Sequence, residues 1–237
     1  MRNFESLLKE NKYPGRGIVF GKTSNARAAV AAYFIMGRSD NSKNRVFEAE
    51  GSGIRTRAFD EATLTDPSLV IYSPVRFCKN MMVVTNGSQT DAICEHIQNG
   101  DGFIEALSSW SFEPDEPIYT PRISGVMDLD DGAYSLSLLK ADGQKQPNCL
   151  RFFFDYEASV PGEGHFIHTY EGDGDPPLPF HGEPVSVAIP ADIDSLADMI
   201  WESLNEEYKV SLFVRHIDLK TKHHITRIIN RNLRSRE

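Results

Sequence analysis

The sequence predicts an α+β protein. Strand-like segments occur in runs and the helical segments are grouped between those runs, which is the order of a layered α+β fold and not of a regularly alternating βαβ chain. The best helical periodicity lies late, over residues 193–208, where Ile193, Leu196, Ala197, Ile200, Trp201 and Leu204 share one face. The glycine-rich dinucleotide fingerprint and the P-loop lysine motif, which mark doubly wound nucleotide folds, are both missing.

The elements follow in order. Phe4, Leu7 and Leu8 recur at helical spacing over residues 3–11, and Tyr13-Pro14-Gly15 ends that helix. Residues 16–22 and the apolar run 28–36 read as a hairpin turned by Lys22-Thr23-Ser24-Asn25. A polar loop over 38–44 precedes strand-like pieces near 45–49, 54–58, 69–72 and 75–85. Two helices come next, 89–98 and 102–110, separated by the Asn99-Gly100 stop. Residues 112–117 are an acidic, proline-bearing loop. Residues 122–127 and 134–140 form a hairpin around Asp130-Asp131-Gly132, and 151–156 and 165–170 extend the sheet. Residues 171–184, rich in Gly, Asp and Pro, are a loop. Asp192 or Asp194 starts the helix 193–208. Residues 210–216 make a last core strand, and a weaker strand or helix closes the chain.

Composition narrows the function classes. The chain has 237 residues, 40% hydrophobic and 25% charged, an ordinary soluble globular composition without internal repeat or strong linker. A formal net charge of −9 argues against a nucleic-acid or membrane-surface partner. The basic C-terminal segment, with Arg227, Arg231, Arg234 and Arg236, reads as a solvated, frayed end. Cys78, Cys94 and Cys149 are far apart and odd in number, which suits a reducing compartment. With no apolar run of spanning length and no signal-peptide core, a cytoplasmic protein is expected.

The segment Val83 to Asp91 is the most informative. Val83-Val84 read as a strand end, Thr85 follows, Asn86-Gly87 reads as a tight turn because both residues tolerate positive φ, and Ser88 caps a helix through Thr90 and Asp91. Free backbone N–H groups at such a helix start suit a phosphate, a carboxylate or a developing oxyanion. By itself the segment also reads as a plain strand–turn–helix junction. Arg38, Arg45 and Arg122 stand at element boundaries, where planar guanidiniums can converge on a phosphate or pair with surface carboxylates. Asn44 adds an amide beside Arg45. Glu113 follows a helix and would work as an acid or base if desolvated; Tyr72 offers a hydroxyl to an oxyanion. The histidines, including the His223-His224 pair, lack metal-ligand spacing, so no metal is expected.

Together these segments resemble the archaeal-type IMP cyclohydrolase family. The matching residues are Gly15-Arg16, Arg38-Ser39, Asn44-Arg45, Tyr72, Thr85-Asn86-Gly87-Ser88 with Thr90-Asp91, Glu113, and Thr120-Pro121-Arg122-Ile123. They keep the family's order and close to its spacing over roughly residues 15 to 127. The resemblance implies a single domain over 1–237, with a helical extension at 1–12, folded as a four-layer α/β/β/α sandwich similar to N-terminal-nucleophile hydrolases. Tyr13-Pro14-Gly15-Arg16 stands where those hydrolases expose Ser, Thr or Cys, so no self-cleaved nucleophile is expected. The implied reaction closes the purine ring of 5-formamidoimidazole-4-carboxamide ribonucleotide to give IMP and water, without cofactor. The resemblance makes Tyr72, Glu113 and Arg45 the catalytic candidates. Arg38, Asn44, Asn86, Gly87, Ser88, Thr90, Asp91, Thr120 and Arg122 are the substrate-binding ones. It implies a ribonucleotide as small-molecule partner and a homo-oligomer, such as a tetramer.

The chain departs from the family pattern in a longer Ser39-to-Asn44 loop, in Pro114 and Pro117 beside Glu113, and in the 171–184 loop. Two other readings stay open. One is a nucleotide-binding sensor that keeps the arginines but turns Glu113 or Tyr72 away. The other is an amide hydrolase of the broader fold, against which the missing nucleophile speaks.

Overall fold

The computed structural model describes residues 1–65, 67, 69–143 and 147–234, so Arg236 of the basic tail lies outside the described residues. The chain runs α1 (Phe4–Glu10), β1 (Arg16–Lys22), β2 (Ala28–Met36), α2 (Asp40–Lys43), β3 (Arg45–Glu50), β4 (Gly53–Ala58), a 3-10 turn (Glu61–Thr63), β5 (Val75–Cys78), β6 (Met81–Thr85), α3 (Gln89–Asn99), α4 (Phe103–Leu107), β7 (Arg122–Asp128), β8 (Tyr134–Ala141), β9 (Cys149–Tyr156), β10 (Glu163–His168), β11 (Val185–Ala188), α5 (Ile193–Ser203), β12 (Lys209–Asp218), β13 (His224–Asn230) and α6 (Arg231–Arg234). Two antiparallel sheets result. One has the order β11-β10-β1-β2-β12-β13 and the other β3-β4-β5-β6-β7-β8-β9.

Side-chain alternation turns these sheets into a sandwich. Along β2, Ala29, Ala31, Tyr33 and Ile35 enter the core between the sheets, while Val30, Ala32, Phe34 and Met36 enter the core under α1 and α5. Both faces of β2 are buried, which is why its sequence is continuously apolar. β12 behaves alike, with Leu212 and Val214 on the helix side and Phe213 and Ile217 between the sheets. Val210 has the parity of Leu212 yet joins the inter-sheet core, because a register shift between Lys209 and Ser211 exchanges the faces. On the outer face of the second sheet, Val83, Val126 and Leu139 pack under Ile93 and Cys94 of α3 and Ala106 and Leu107 of α4. The α+β layering read from the order of elements is therefore present, with helices on both outer faces.

Several boundaries differ from the sequence reading. Residues 69–72 are a turn and not a strand: Pro67 O accepts from both Val70 N and Ile71 N, which curls the segment. Residues 75–85 are two strands, because Lys79 takes φ 50° and Cys78 pairs with Met81 across a two-residue turn. The polar loop 38–44 contains α2, one turn capped by Ser39 Oγ on Ser42 N at 3.1 Å. The helix expected over 102–110 is only Phe103–Leu107. α5 is capped by Asp192 on Ser195 N but stops at Ser203, since Leu204 turns extended and drops into the core. β11 gave no signal in the sequence: four residues after a proline-rich loop are too short a run to show a period. The described residues end in a strand and a helical turn; Arg227 pairs with Asp194 on α5 and Arg231 donates to Glu207 O at 2.9 Å, so the segment packs as far as Arg231. No described helix is long and apolar enough to cross a membrane.

The inter-sheet core makes a direct prediction. Phe213 is fully buried, and Phe213→Ala should lower unfolding free energy by about 3–5 kcal/mol through lost contacts and a residual cavity. Leu178 is 71% exposed, and its change to Ala should stay within about 0.5 kcal/mol. Urea midpoints at constant slope provide the comparison.

Candidate active site

Antiparallel pairing brings several strand ends to one place. The start of β1 lies beside the end of β2 (Arg16 opposite Ile35) and the end of β10 (Gly17 opposite His168); the start of β7 lies beside the end of β6 (Ser124 opposite Thr85). Polar side chains gather here around a cavity of about 280 Å³, walled by Arg16, Glu113, Asp115, Thr120 and Tyr170, with Arg38 and Ser39 on its lining as well. Arg38 sets its guanidinium over the Tyr13 ring and donates to Gly174 O at 2.8 Å, which ties the 171–184 loop to this wall.

The charges are deeply buried. Arg45 has no exposed surface; its Nε donates to Ser42 O at 2.8 Å and its Nη1 finds no partner. Burial, and then Arg16, push the Arg45 pKa down. Burial would do the same to Arg16, but Glu113 and the nearby Tyr13, Tyr170 and Tyr72 outweigh it and hold that guanidinium firmly charged. Arg122 is lowered by burial against the pull of Glu113, whose Oε1 lies 3.9 Å from its Nη1. Glu113 is 2% exposed, and burial pushes its carboxyl up to about 6 although Arg16, Arg122 and Arg45 pull the other way. Its backbone is fixed by Glu113 N donating to Thr120 O at 2.8 Å.

Hydroxyls surround these charges. Tyr72 OH and Tyr33 OH meet at 2.8 Å. Burial, and then Tyr72, push the Tyr33 pKa well up, so this buried pair stays protonated at Tyr33. Thr120 Oγ1 donates to Asp115 and meets Tyr170 OH at 2.6 Å. A larger cavity of about 570 Å³ lies on the other side of Tyr72, along β4 and Ile71. Its arginines, Arg55 and Arg57, are committed to Glu48 at the surface, so the smaller cavity holds the buried chemistry.

The residues singled out from sequence divide into three groups. Arg38, Glu113 and Thr120 line the cavity, Arg45 and Arg122 lie behind it within electrostatic reach of Glu113, and Tyr72 stands near both arginines on the lining of the larger cavity. Asn86, Gly87 and Thr90 lie behind them as scaffold. Asn86 Nδ2 donates to Pro121 O at 2.9 Å and its Oδ1 accepts from Ile123 N at 2.9 Å, so it clamps the strand on both sides of Arg122. Thr90 Oγ1 meets Thr85 Oγ1 at 2.6 Å. Asn44, Ser88 and Asp91 point elsewhere: Asn44 joins Asp60 and Thr63, Asp91 pairs with Arg76 at 2.9 Å, and Ser88 is exposed and makes no capping bond. Neither Asn86 nor Gly87 has positive φ. Gly87 is needed for space instead, because a Cβ would sit 2.5 Å from Arg122 Nη1 and 2.7 Å from Gln89 Oε1. At the start of α3 the N–H groups of Gly87, Thr90 and Asp91 bond within the turn. Tyr33, Tyr170, Asp115 and Gln89 were invisible as site residues, since each sits in a segment that reads as ordinary strand, loop or helix. Arg16 carries the same burial as Arg122 and stands in a matching segment, Gly15-Arg16, that suggested no role.

A buried carboxyl poised near neutrality among guanidiniums suits an anionic substrate and a proton transfer. The chain belongs to the family described as IMP cyclohydrolase-like protein, whose sequence model matches residues 13–222. It is 35% identical over 134 residues to an IMP cyclohydrolase of Halobacterium salinarum, covering 55% of this chain and 64% of that protein. It is 25% identical over 178 residues to the IMP cyclohydrolase of Methanothrix thermoacetophila, covering 73% and 82%, and 32% identical over 119 residues to that of Methanopyrus kandleri, covering 49% and 59%. The chain thus spans less than two thirds of the Halobacterium and Methanopyrus relatives.

The raised Glu113 pKa makes stability fall with pH. Below the ordinary carboxyl value of 4.5 the group is protonated folded and unfolded; as pH rises through about 6 the native state must ionise it while buried. Wild type should therefore lose about 2 kcal/mol relative to Glu113→Gln between the two limits. Denaturant unfolding of both proteins at pH 4.5 and 7 reads this, and parallel pH curves would refute the burial argument.

Proposed function

We propose that the protein is an IMP cyclohydrolase, closing the ring of 5-formamidoimidazole-4-carboxamide ribonucleotide. The observation that carries this reading is Glu113, buried at the cavity wall among Arg16, Arg45 and Arg122 in a chain of this family. In the reaction the carboxamide nitrogen bonds to the formyl carbon. The formyl oxygen leaves as water, taking one proton from the carboxamide nitrogen and one from the formamide nitrogen. The nucleophile is weak because its lone pair is delocalised, so holding the two arms in attack geometry supplies much of the acceleration.

Roles follow from position. Glu113 takes the proton from the attacking nitrogen and returns it to the departing oxygen, a shuttle suited to a carboxyl near 6. Tyr72, with Tyr33 behind it, donates to the forming oxyanion, and the buried charge of Arg45 stabilises it at longer range. The imidazole with its two amide arms occupies the cavity, and the ribose phosphate extends over the rim to Arg38. Thr120 and Arg122 hold Asp115 and Glu113 in place. The reading further assigns the whole chain to one domain of the four-layer, N-terminal-nucleophile-hydrolase-like type, acting in the cytoplasm as a homo-oligomer. The burial of Glu113 supports an enzyme over a sensor, for which Glu113 or Tyr72 would be turned out or solvated.

Turnover is measured by the ultraviolet change as IMP forms from the formylated precursor. Glu113→Gln should lower kcat by about 10²–10⁴ with little change in IMP affinity. Saturable IMP binding by wild type without turnover would replace this reading by the sensor.

A further inference from the structure

Gln89 opens α3 and is fully buried behind the cavity. Its Nε2 donates to Asn86 Oδ1 at 3.1 Å, with Ile123 O at 3.3 Å and Ser124 Oγ at 3.4 Å beside it. These acceptors fix the sense of the amide, because the reverse orientation would set its oxygen against the Ile123 carbonyl. Oε1 is therefore the atom that meets Arg122, accepting from Nη1 at 2.9 Å. The same Nη1 stops 3.9 Å from Glu113 Oε1, beyond hydrogen-bond reach. Trp110 holds the guanidinium over its ring, 5.1 Å from the centroid, and the missing side chain of Gly87 leaves room for this approach.

An arginine next to a buried carboxylate normally closes on it, since a charge-assisted bond of about 2.7–2.9 Å is the strong arrangement. We propose that Gln89 is a positioning residue: it holds Arg122 by Nη1 and keeps the Arg122–Glu113 pair open, which leaves the Glu113 carboxyl free to exchange a proton with the cavity. The groups facing Glu113 are Arg16 from β1, Arg45 from β3, Arg122 from β7 and Asp115 from its own loop; Arg122 is faced in addition by Tyr72. With the accepting oxygen gone, Arg122 swings onto Glu113 and favours its ionised form. With a carboxyl at position 89, one oxygen stays on Arg122 and the other, set against Asn86 Oδ1 and the Ile123 carbonyl, keeps a proton to donate there, so Arg122 stays off Glu113. The catalytic consequence rests on the proposed function; the geometry does not.

The test compares Gln89→Met, similar in shape without the acceptor, with the isosteric Gln89→Glu. The Glu113 titration is followed in the substrate-free protein by carbon NMR of carboxyl-labelled glutamate, assigned through Glu113→Gln, and the acidic limb of kcat/KM is recorded beside it. The midpoint should fall by about one pH unit in Gln89→Met and stay close to the wild-type value in Gln89→Glu, which retains the accepting oxygen. An unchanged midpoint in Gln89→Met, or an equal fall in both variants, overturns the proposal. The NMR shift in Gln89→Met alone, in a protein without turnover, would leave it standing while the enzyme reading fails. Turnover with unmoved midpoints would do the reverse.

Discussion

The burial of guanidinium groups without full counter-charge is the constraint on which this structure turns. Arg45 is sealed beneath Met36 O and Ser42 O, and among the described residues no carboxylate lies within salt-bridge distance of it. An ion so placed costs several kcal/mol in desolvation unless dipoles and opposite charge surround it. Carbonyls and tyrosine hydroxyls supply the dipoles; Glu113 supplies the charge, at a distance. The carboxyl is consequently held between two opposed demands, burial asking for its neutral form and the arginines for its ionised one, and neither wins outright. A site with this surplus of fixed positive charge is organised for an anion before one arrives.

Such an arrangement needs a rigid frame, and the sandwich provides it through strands buried on both faces. Tyr33 shows how. It stands on β2, stacks on Phe47 of the other sheet at 5.6 Å, and ends in the hydroxyl that meets Tyr72. One side chain thus crosses the inter-sheet core and delivers a polar tip at its margin, where it meets the hydroxyl of Tyr72, whose backbone is held by Thr56 of β4. Tyr170 plays a similar part from the end of β10, stacked with Tyr13 and joined to Thr120.

Strand content, layering and α5 were legible because they rest on local periods of two and 3.6 residues. The division of 75–85 into a hairpin was not, since Lys79-Asn80 lacks the usual glycine at a left-handed position. Among site residues, Glu113, Arg122 and Arg45 could be picked out because charge at an element boundary is conspicuous, and Thr120 through the family string Thr120-Pro121-Arg122-Ile123. Tyr33 and Gln89 could not: one looks like any aromatic residue of a core strand, the other like any polar residue of a helix. Their roles are created by partners 39 and 33 residues away, and a single sequence carries no trace of such pairings.

The Asn86-Gly87 turn makes the point in reverse. Its composition suggested backbone N–H groups offered to a ligand; those of Gly87, Thr90 and Asp91 bond within the turn. What it presents is an amide that grips the β7 backbone on both sides of Arg122, and a missing side chain that lets Gln89 reach the guanidinium. A segment of this kind belongs to a site without touching a ligand. Its glycine answers to a steric demand from Arg122 and Gln89 together, so a smaller residue at position 122 would not by itself make room for alanine at position 87. The link between the two positions is spatial, and it makes the strand–turn–helix junction part of the machinery that sets the charge of Glu113.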